Sequence, residues 1–541
     1  MDTRIAVPAP DDAPAPARAR VAGTLPVAAI AGLVVLWLAA TAWLRPLMLP
    51  DEGRYVSVAW SMLRSGDWLT PTLNGLPFFH KPPLFYWITA ASMAVFGPSE
   101  WAARAAPLIG STLAAMSMYL FLRRWSSERA ARVALLALLA QPLFYVGGQF
   151  ANLDMLVAGC ITATIALAAH SCLSFEQGLP RGGALAGAYA MAAAGVLAKG
   201  LIGAVLPALV LLAWLLARRR WRTMGSLLSL PGLALFLLIC GPWFVAMQAR
   251  FDGFLNYFFV VQHFQRFAAG GFNNVQPFWF YPVLLLLFGL PWLPWLARSL
   301  ARQAAGPDDD GALRLLLVLW AALVVGFFSL PQSKLAGYVL PAIPPLAALV
   351  AVGLLKRGDP SRRELRWWHA AVATGALVSV GIVVAVTLLP QNSMRGLSAS
   401  LVAQRAPQDP IFMLGKMYYD VPVYAGLSEP VHVVEDWKSA DATVQDNGRK
   451  ELADAGQFAP ELAARLLVNE AALPAALCAA RTSWVIGPVK AAEQFPFLAA
   501  ARVGYAASDA TLWRVDSTSP AVANALECYR SRRREAATPA Q

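Results

Sequence analysis

Acidic and basic side chains lie together just after the first apolar segment of the chain. Asp51 and Glu52 follow that segment directly, and Arg54 and Tyr55 come within the next three residues. A carboxylate near a membrane interface can act as a general base, bind an amino group or help to hold a metal. The planar fork of an arginine suits phosphate oxygens. These residue types indicate a substrate site, with a solvated helix cap as the alternative for the two acids.

A second polar group is the segment Phe79-His80-Lys81-Pro82-Pro83. Its prolines restrict the backbone and deny it helix hydrogen bonds, so they predict a stiff, extended position for His80 and Lys81. His263 lies in another polar stretch of the chain. Two imidazoles and an acid can bind Zn²⁺ or another divalent ion such as Mg²⁺, which makes His80 and His263 candidate metal ligands. A structural role for each histidine is the alternative.

Further charged residues lie at the edges of apolar runs. Asp154 begins one run, and Lys199 lies alone between two others. An ionisable residue in such a place is costly unless it faces a cavity. The alternatives are a helix-initiating aspartate capped by Asn152 and a lysine that snorkels to the interface. Lys334 and Tyr338 complete the set of candidates.

The composition places this chain in a membrane. Of its 541 residues, 58% are hydrophobic and only 14% are charged, whereas soluble proteins carry about 25% charged residues. A net charge of +12 could serve to bind nucleic acid, but the sequence contains no nucleic-acid-binding motif. Lysines and arginines in cytoplasmic loops explain the charge better.

Apolar runs near the 20 residues that span a bilayer predict eleven transmembrane helices. They lie at about 25–47, 101–122, 132–149, 153–173, 183–198, 200–217, 227–247, 278–297, 313–330, 336–355 and 368–389. The first run has no cleavage site and predicts an uncleaved helix. Residues 1–24, rich in Ala, Pro and Arg, predict a disordered cytoplasmic N-terminus.

The basic loops between these runs predict the orientation. Arginines and lysines cluster near 123–132, 218–222, 298–302 and 356–366, and basic loops face the cytoplasm. The thirteen-residue apolar segment 84–96 is too short to span and predicts a re-entrant or interfacial helix. If it does not span, all four basic loops face the cytoplasm. This arrangement puts the N-terminus inside, the C-terminus outside, and a first outer loop at 48–100.

In this arrangement the charged candidates share the outer face. A cationic cluster beside an apolar groove is what a lipid phosphate requires, with charge for its head and an apolar wall for its tail. The cations are Arg54, Lys81, Lys199, Arg266 and Lys334, and the anions are Asp51, Glu52 and Asp154. The residues by themselves therefore indicate a lipid-phosphate site and name no sugar.

Residues 391–541 are polar and predict a small α/β domain outside the membrane. Strands are expected at 411–418, 431–434 and 483–486, and helices at 462–467 and 471–480. Cys478 and Cys528 both lie in this part, where a disulfide is plausible if the domain is periplasmic. The predicted membrane domain is residues 25–390.

Six stretches together resemble the GT-C superfamily of polyprenyl-phosphate-dependent glycosyltransferases. The branch they are most similar to is that of the 4-amino-4-deoxy-L-arabinose lipid A transferases and related protein O-mannosyltransferase-like enzymes. The stretches are PDEGRY (50–55), SGDWLTPTLNGLPFFHKPPLFYW (65–87), ANLDM (151–155), AKG (198–200), VQHFQRF (261–267) and SKLAGYVLPAIPPLA (333–347). The resemblance implies a polytopic α-helical GT-C fold of about 11–13 transmembrane helices with a C-terminal periplasmic α/β domain.

The resemblance also implies an activity: inverting transfer of a sugar from undecaprenyl phosphate at the periplasmic side of a bacterial inner membrane. It favours aminoarabinose as the sugar and lipid A phosphate as the acceptor. The residues expected at the chemistry are Asp51, Asp154 and Lys81. Those expected at the substrate or its phosphate are Glu52, Arg54, Tyr55, Lys199, Arg266, Lys334 and Tyr338, and those expected at a metal are His80 and His263. One departure from the family is His80, which stands where a glutamate is typical and raises the charge of the site by one.

Three alternatives remain at this stage. Another sugar, such as mannose or galactosamine, could be transferred to protein, glycan or lipid A. A lipid transporter would need charges at mid-membrane and paired repeats, and the sequence has neither. A membrane scaffold would keep working without Asp51, Lys81 or Asp154. The enzyme is expected to act as a monomer and to bind no nucleic acid.

Overall fold

The computed structural model describes residues 25–265, 274–301, 310–356, 359–389, 393–439, 445, 447–507 and 509–528. Each of the eleven predicted apolar runs coincides with helix. The helices before residue 390 are α1 (Val27–Ala39), α2 (Asp51–Ser65), α3 (Leu84–Phe96), α4 (Glu100–Ala103), α5 (Ala105–Trp125), α6 (Glu128–Leu139), α7 (Pro142–Gly147), α8 (Leu153–Glu176), α9 (Gly182–Lys199), α10 (Ile202–Ala217), α11 (Trp221–Gly225), α12 (Leu230–Arg250), α13 (Phe280–Leu300), α14 (Asp310–Ser329), α15 (Ala336–Leu355) and α16 (Arg362–Leu388). A π-helix, Asn256–Gln265, lies between α12 and α13.

Seven helices of the described residues are long and apolar enough to cross a membrane: α5, α8, α12, α13, α14, α15 and α16. The other predicted spans are shorter or less apolar helices. The predicted run 132–149 is interrupted because Gln141 caps α7, its side chain accepting a hydrogen bond from the Phe144 amide at 2.7 Å. The predicted class, a polytopic α-helical membrane protein, is confirmed.

The segment 48–100, predicted as a loop, is folded, and we call it the platform. It contains α2, a short hairpin of β1 (Thr72–Leu73) and β2 (Leu76–Pro77), and α3. The hairpin turns at Asn74 and Gly75, which both have positive φ, at 54° and 78°, as a tight hairpin turn requires. At about 1.5 Å per residue, the 13 residues of α3 reach roughly 20 Å, too short to span a bilayer core.

The predicted basic loops lie together at one end of the helical bundle, which we call the basic end. Lys356 reaches the Arg298 carbonyl at 3.2 Å, which joins two of these loops. Their ion pairs are Arg123 and Arg132 with Glu128, Arg129 with Asp359, Arg218 with Glu176, and Arg298 with Glu364. Glu176, the last residue of α8, pairs with Arg218 at this end, so the start of α8 lies at the opposite end, the site end. The platform and the end of α9 lie there too, because Glu52 accepts a hydrogen bond from the Ala151 amide and Lys199 pairs with Asp154.

The C-terminal part contains a six-stranded sheet with its own apolar core. Its strands are β3 (Ile411–Leu414), β4 (His432–Glu435), β5 (Leu467–Asn469), β6 (Thr482–Gly487), β7 (Arg502–Ala506) and β8 (Thr511–Asp516). Strands β5, β4, β3 and β6 are parallel neighbours in that order, and β8 and β7 extend the sheet antiparallel. The helices are α17 (Arg395–Gln404), α18 (Val421–Tyr424), α19 (Gly448–Gly456), α20 (Pro460–Leu466), α21 (Leu473–Ala479), α22 (Ala491–Gln494) and α23 (Pro520–Ala525). Cys478 and Cys528 form a disulfide, with their Cα atoms 5.4 Å apart.

The sheet domain is docked on the platform by polar contacts. The Asn74 side chain makes two hydrogen bonds to the Val431 backbone, at 2.8 and 2.9 Å. The Trp60 indole donates to the Leu427 carbonyl at 2.8 Å. These bonds bring the start of α19 to the first turn of α2.

Asp420 joins the sheet domain to the end of the bundle. It is fully buried, and its Oδ2 accepts hydrogen bonds from the Met394 amide at 2.8 Å and the Ser393 hydroxyl at 3.0 Å. Burial raises the pKa of Asp420 from 3.8 to about 6, although these bonds act in the opposite direction. The folded state thus holds the proton more tightly than the unfolded state, so this group lowers stability as pH rises from about 4 to 6.

We expect Asp420→Asn to raise the melting temperature at pH 7.5, because asparagine keeps an acceptor oxygen and removes the buried charge. The gain is up to about 3 kcal/mol and should vanish toward pH 4. Thermal unfolding in detergent at both pH values measures it. Asp436, an exposed aspartate of the same domain, gives the control Asp436→Asn, which should change little. A lower melting temperature of Asp420→Asn at pH 7.5 would contradict the expectation.

Candidate functional site

Glu52 lies at the centre of a buried ion cluster with Arg45 and Arg104. Glu52 and Arg104 are fully buried. Arg104 donates to both carboxylate oxygens at 2.9 Å, and Arg45 forms a second ion pair with the same carboxylate. The carboxylate also accepts from the Met48 amide at 2.9 Å and the Ala151 amide at 2.8 Å. Protein groups therefore surround both oxygens of Glu52, which was predicted to contact the substrate.

The charge of Glu52 is held by its two arginines. Burial by itself would raise the pKa of Glu52, but the guanidinium groups of Arg104 and Arg45 outweigh burial and lower the pKa to about 2. Arg104 also donates to the carbonyls of Ala42, Arg45 and Pro46 at 2.7–3.0 Å. The cluster thereby ties the start of α2 to the start of α5 and to the turn before α8. It therefore helps to position Asp51 at the start of α2 and Asp154 at the start of α8.

Asp51 starts α2 and turns toward the sheet domain, with its side chain 34% exposed. Arg54, one turn later, donates to Asp51 Oδ1 at 2.6 Å and also pairs with Glu451 of α19. His80 Nδ1 lies 3.8 Å from the same Glu451 oxygen, and His80 Nε2 shares a hydrogen bond of 2.8 Å with the Tyr257 hydroxyl. Asp51, Arg54 and His80, all predicted site residues, therefore lie close to Glu451 of the C-terminal domain. Arg54, predicted to hold phosphate, is instead bound by two carboxylates.

Asp154 and Lys199 form an ion pair at the site end. Asn152 caps α8 as predicted and accepts from the Asp154 amide at 3.0 Å. The Lys199 ammonium lies 4.1 Å from the centre of the Tyr338 ring. At Gly337 any Cβ would collide with the Asp154 carboxylate, so glycine permits this close approach. Since an ammonium has three hydrogens, Lys199 retains donor capacity for a phosphate.

Tyr55 packs beside Arg54. The Arg54 guanidinium is 4.9 Å from the Tyr55 ring centre. Burial raises the pKa of Tyr55 to about 12, while Arg54 and Lys199 both act against that rise. The phenol is therefore neutral and able to donate a hydrogen bond, and both cations lie within its electrostatic reach. Tyr55 is therefore a residue on whose hydroxyl both groups of charges act.

The two other predicted lysines differ in their surroundings. Lys334 is 4% exposed, its ammonium donates to the Gln276 carbonyl at 2.8 Å and to the Pro331 carbonyl, and burial lowers its pKa. It therefore ties the chain before α13 to the chain before α15, and its predicted contact with phosphate stays a prediction. Lys81 follows His80 and is half-buried.

The predicted metal site is only partly within the described structure. Within the described ranges, no three His, Cys, Asp or Glu side chains are grouped so that they could hold an ion. His80 stacks on Phe78 at 4.6 Å and engages Tyr257 and Glu451 through its two nitrogens, so it fits a polar network of the protein itself. The His263 side chain and Arg266 lie outside the described residues, and the metal stays a prediction.

Three charged residues of this region were missed by the sequence reasoning. Arg45 and Arg104 lie at the ends of apolar runs, and the intramembrane-charge rule applied to Asp154 would have singled them out. Glu451 gave no comparable signal, because it is one of many charged residues in a polar domain.

Comparisons with known proteins give the same fold. Residues 80–245 match the family model described as dolichyl-phosphate-mannose-protein mannosyltransferase. A solved structure of ArnT from Cupriavidus metallidurans bound to undecaprenyl phosphate superposes with a TM-score of 0.76 at 22% identity, covering 92% of this chain and 98% of that one. An archaeal oligosaccharyltransferase from Archaeoglobus fulgidus gives 0.51 at 14% identity, covering 85% of this chain and 69% of that one. At these identities the likeness establishes the fold.

Sequence similarity is higher with two bacterial enzymes named undecaprenyl phosphate-alpha-4-amino-4-deoxy-L-arabinose arabinosyl transferase. The protein from Pseudomonas aeruginosa is 34% identical over 316 residues, 58% of this chain and 56% of the relative. The protein from Aeromonas hydrophila is 32% identical over 362 residues, 65% and 64% respectively. The chain thus spans 56–64% of the length of these curated relatives. The resemblance seen in the sequence is confirmed: the chain shares the fold of ArnT and is similar in sequence, over part of its length, to enzymes named undecaprenyl phosphate-alpha-4-amino-4-deoxy-L-arabinose arabinosyl transferase.

Proposed function

We propose that this protein transfers 4-amino-4-deoxy-L-arabinose from undecaprenyl phosphate to a phosphate group of lipid A. The observation that carries the proposal is the 32–34% identity to transferases of that name. The site supports the proposal. Lys199, the last residue of α9, offers a cation to a phosphate, and the Asp51–Arg54–Glu451 group offers carboxylates to a sugar.

The proposed location is the bacterial inner membrane, with the site end in the periplasm. Two observations support it. The predicted cytoplasmic arginines lie at the basic end, as the charge bias of membrane proteins predicts. The Cys478–Cys528 disulfide belongs to the sheet domain at the site end, and disulfides persist in oxidising compartments such as the periplasm.

In the proposed reaction, a lipid A phosphate oxygen attacks the anomeric carbon of the sugar. On the opposite face, the bond from that carbon to the oxygen of undecaprenyl phosphate breaks. The configuration at the carbon therefore inverts, and undecaprenyl phosphate leaves with the bonding electrons. Lys199 and Lys81 offset the charge that develops on the leaving phosphate. A phosphate acceptor is already an anion and needs no base, whereas a hydroxyl acceptor would require one, and Asp51 is the candidate.

Mass spectrometry of lipid A tests the function. Cells with the gene under inducing conditions should carry a pentosamine on lipid A, and deletion should remove that mass. Plasmid-borne wild-type protein should restore the mass, and Lys199→Met should not. An unchanged lipid A profile after deletion would contradict the proposal.

The family model of residues 80–245 favours a mannose-type sugar as the second candidate, so the same deletion strain should be searched for lost protein or glycan mannosylation.

Asp51→Asn distinguishes the two kinds of acceptor. We expect kcat to fall by about 10²–10⁴ with a hydroxyl acceptor, the usual contribution of a general base. With lipid A phosphate the loss should be much smaller, because only the Arg54 contact is weakened. Turnover by purified protein with both acceptors measures this. Near-normal turnover with a hydroxyl acceptor would exclude Asp51 as the base.

A further inference from the structure

Glu451 comes from the sheet domain and yet lies at the centre of the candidate site. It belongs to the first turn of α19, which Asn447 caps by accepting hydrogen bonds from the Arg449 and Lys450 amides at 2.9 and 3.1 Å. The cap and the docking of the domain on the platform fix where this turn lies. The Glu451 side chain is 9% exposed and reaches Arg54 through Oε1. The sheet domain therefore supplies part of the site.

The second oxygen of this carboxylate, Oε2, is buried and has no hydrogen-bond partner among the described residues. The Nε atom of Arg54 is also buried and has no hydrogen-bond partner among the described residues. Leaving a buried charged acceptor without a donor is expensive, and native structures rarely do so without a functional reason. The Glu451 Oε2 atom is thus prepared to accept a hydrogen bond from a donor that the protein does not provide.

The charges around Glu451 indicate which donor fits. Asp51 and Glu451 share the single guanidinium of Arg54, so this group of three carries one net negative charge. A phosphate would be repelled by the two carboxylates, whereas a cationic group would complete the neutralisation. Lys199, a cation paired with the single carboxylate of Asp154, is a better place for the phosphate. Within the donor that the proposed function requires, the amino group of the sugar is the cation.

We propose that Glu451 Oε2 accepts a hydrogen bond from the ammonium group of the transferred amino sugar, so that the sheet domain selects the sugar. This inference rests on the proposed function and adds a specificity-determining residue to it. Recognition requires a free, protonated amine, because an N-acylated sugar has lost the charge and the donor geometry that the carboxylate would bind.

The test uses the full-length protein in detergent, with lipid A as acceptor and two donors: undecaprenyl phosphate-aminoarabinose and its N-acetylated form. We expect wild-type protein to prefer the free amine by about 10- to 100-fold in kcat/KM, the range for a hydrogen bond to a charged group. Glu451→Gln should lose most of that preference through a higher KM for the free amine. Asp454→Asn, one turn along α19 and paired with Lys450, is the matched control and should keep the preference.

Glu451→Asp provides a second variant if Glu451→Gln does not fold. It keeps the charge, withdraws the carboxylate by one methylene and should reduce the preference in part. An unchanged preference in either variant overturns the proposal. An equal loss with both donors also overturns it, because Glu451 would then act only by holding Arg54. Inactive wild-type protein with the free-amine donor would instead contradict the proposed function itself.

Discussion

Glu52→Gln is expected to destabilise the protein by roughly 3–5 kcal/mol, the cost of breaking a buried ion pair from one side. The substitution leaves Arg45 and Arg104 buried beside each other without a countercharge. Both are at most 4% exposed, so water cannot take the place of the carboxylate. Thermal unfolding in detergent and the yield of folded protein measure the loss.

The pH dependence of this effect has a defined sign. The folded pKa of Glu52 is about 2 and the unfolded value about 4.5, so its stabilising contribution is complete above pH 4.5 and is lost as pH falls toward 2. The difference between wild-type protein and Glu52→Gln should therefore be constant near neutral pH and should shrink below pH 4.5.

Glu128→Gln is the matched control. Glu128 also pairs with two arginines, Arg123 and Arg132, but its side chain is 29% exposed at the basic end. Exposed pairs contribute about 1 kcal/mol or less, so this variant should melt close to wild-type protein. If both variants lost the same stability, burial would not be the reason for the importance of Glu52.

The different surroundings of Asp51 and Glu52 could not be predicted from the sequence. Adjacent residues of a helix point about 100° apart, so one of two consecutive acids at the start of α2 faces the bundle and the other faces the site. The sequence identified the pair but contained no means of deciding which acid faces inward. That choice depends on Arg45, in the chain between α1 and α2, and on Arg104, which directly precedes α5.

The helices were predictable because apolar runs and basic loops are local signals. Lys199 was placed correctly at the end of its helix, and Asn152 was correctly identified as the cap of α8. Contacts between distant parts of the chain were not predictable. Arg54 and Glu451 are 397 residues apart, and nothing in the local sequence of α19 distinguishes Glu451 from the other acids of its domain. The carbonyl partners of Lys334 were not predictable for a related reason, since backbone acceptors do not depend on residue type.

Lys199→Met is expected to lower kcat/KM for sugar transfer by about 10²–10³, the range found when a group that stabilises developing negative charge is removed. Lys199 is held in position by Asp154 and by the face of the Tyr338 ring, so its charge is ready before the donor binds. Loss of this cation should affect kcat more than KM, because the charge on the leaving phosphate increases in the transition state. Steady-state rates with undecaprenyl phosphate-aminoarabinose measure the effect.

The single variant also leaves the Asp154 carboxylate, 7% exposed, without its ion-pair partner. The double variant Lys199→Met/Asp154→Asn removes both charges and should recover most of the melting temperature while staying inactive, which separates the lost chemistry from lost folding. Lys334→Met offers the opposite comparison. Because Lys334 bonds only backbone carbonyls in the described structure, this variant should melt lower and yet keep its kcat in the folded fraction. Recovery of turnover in the double variant would show that Lys199 serves only to neutralise Asp154.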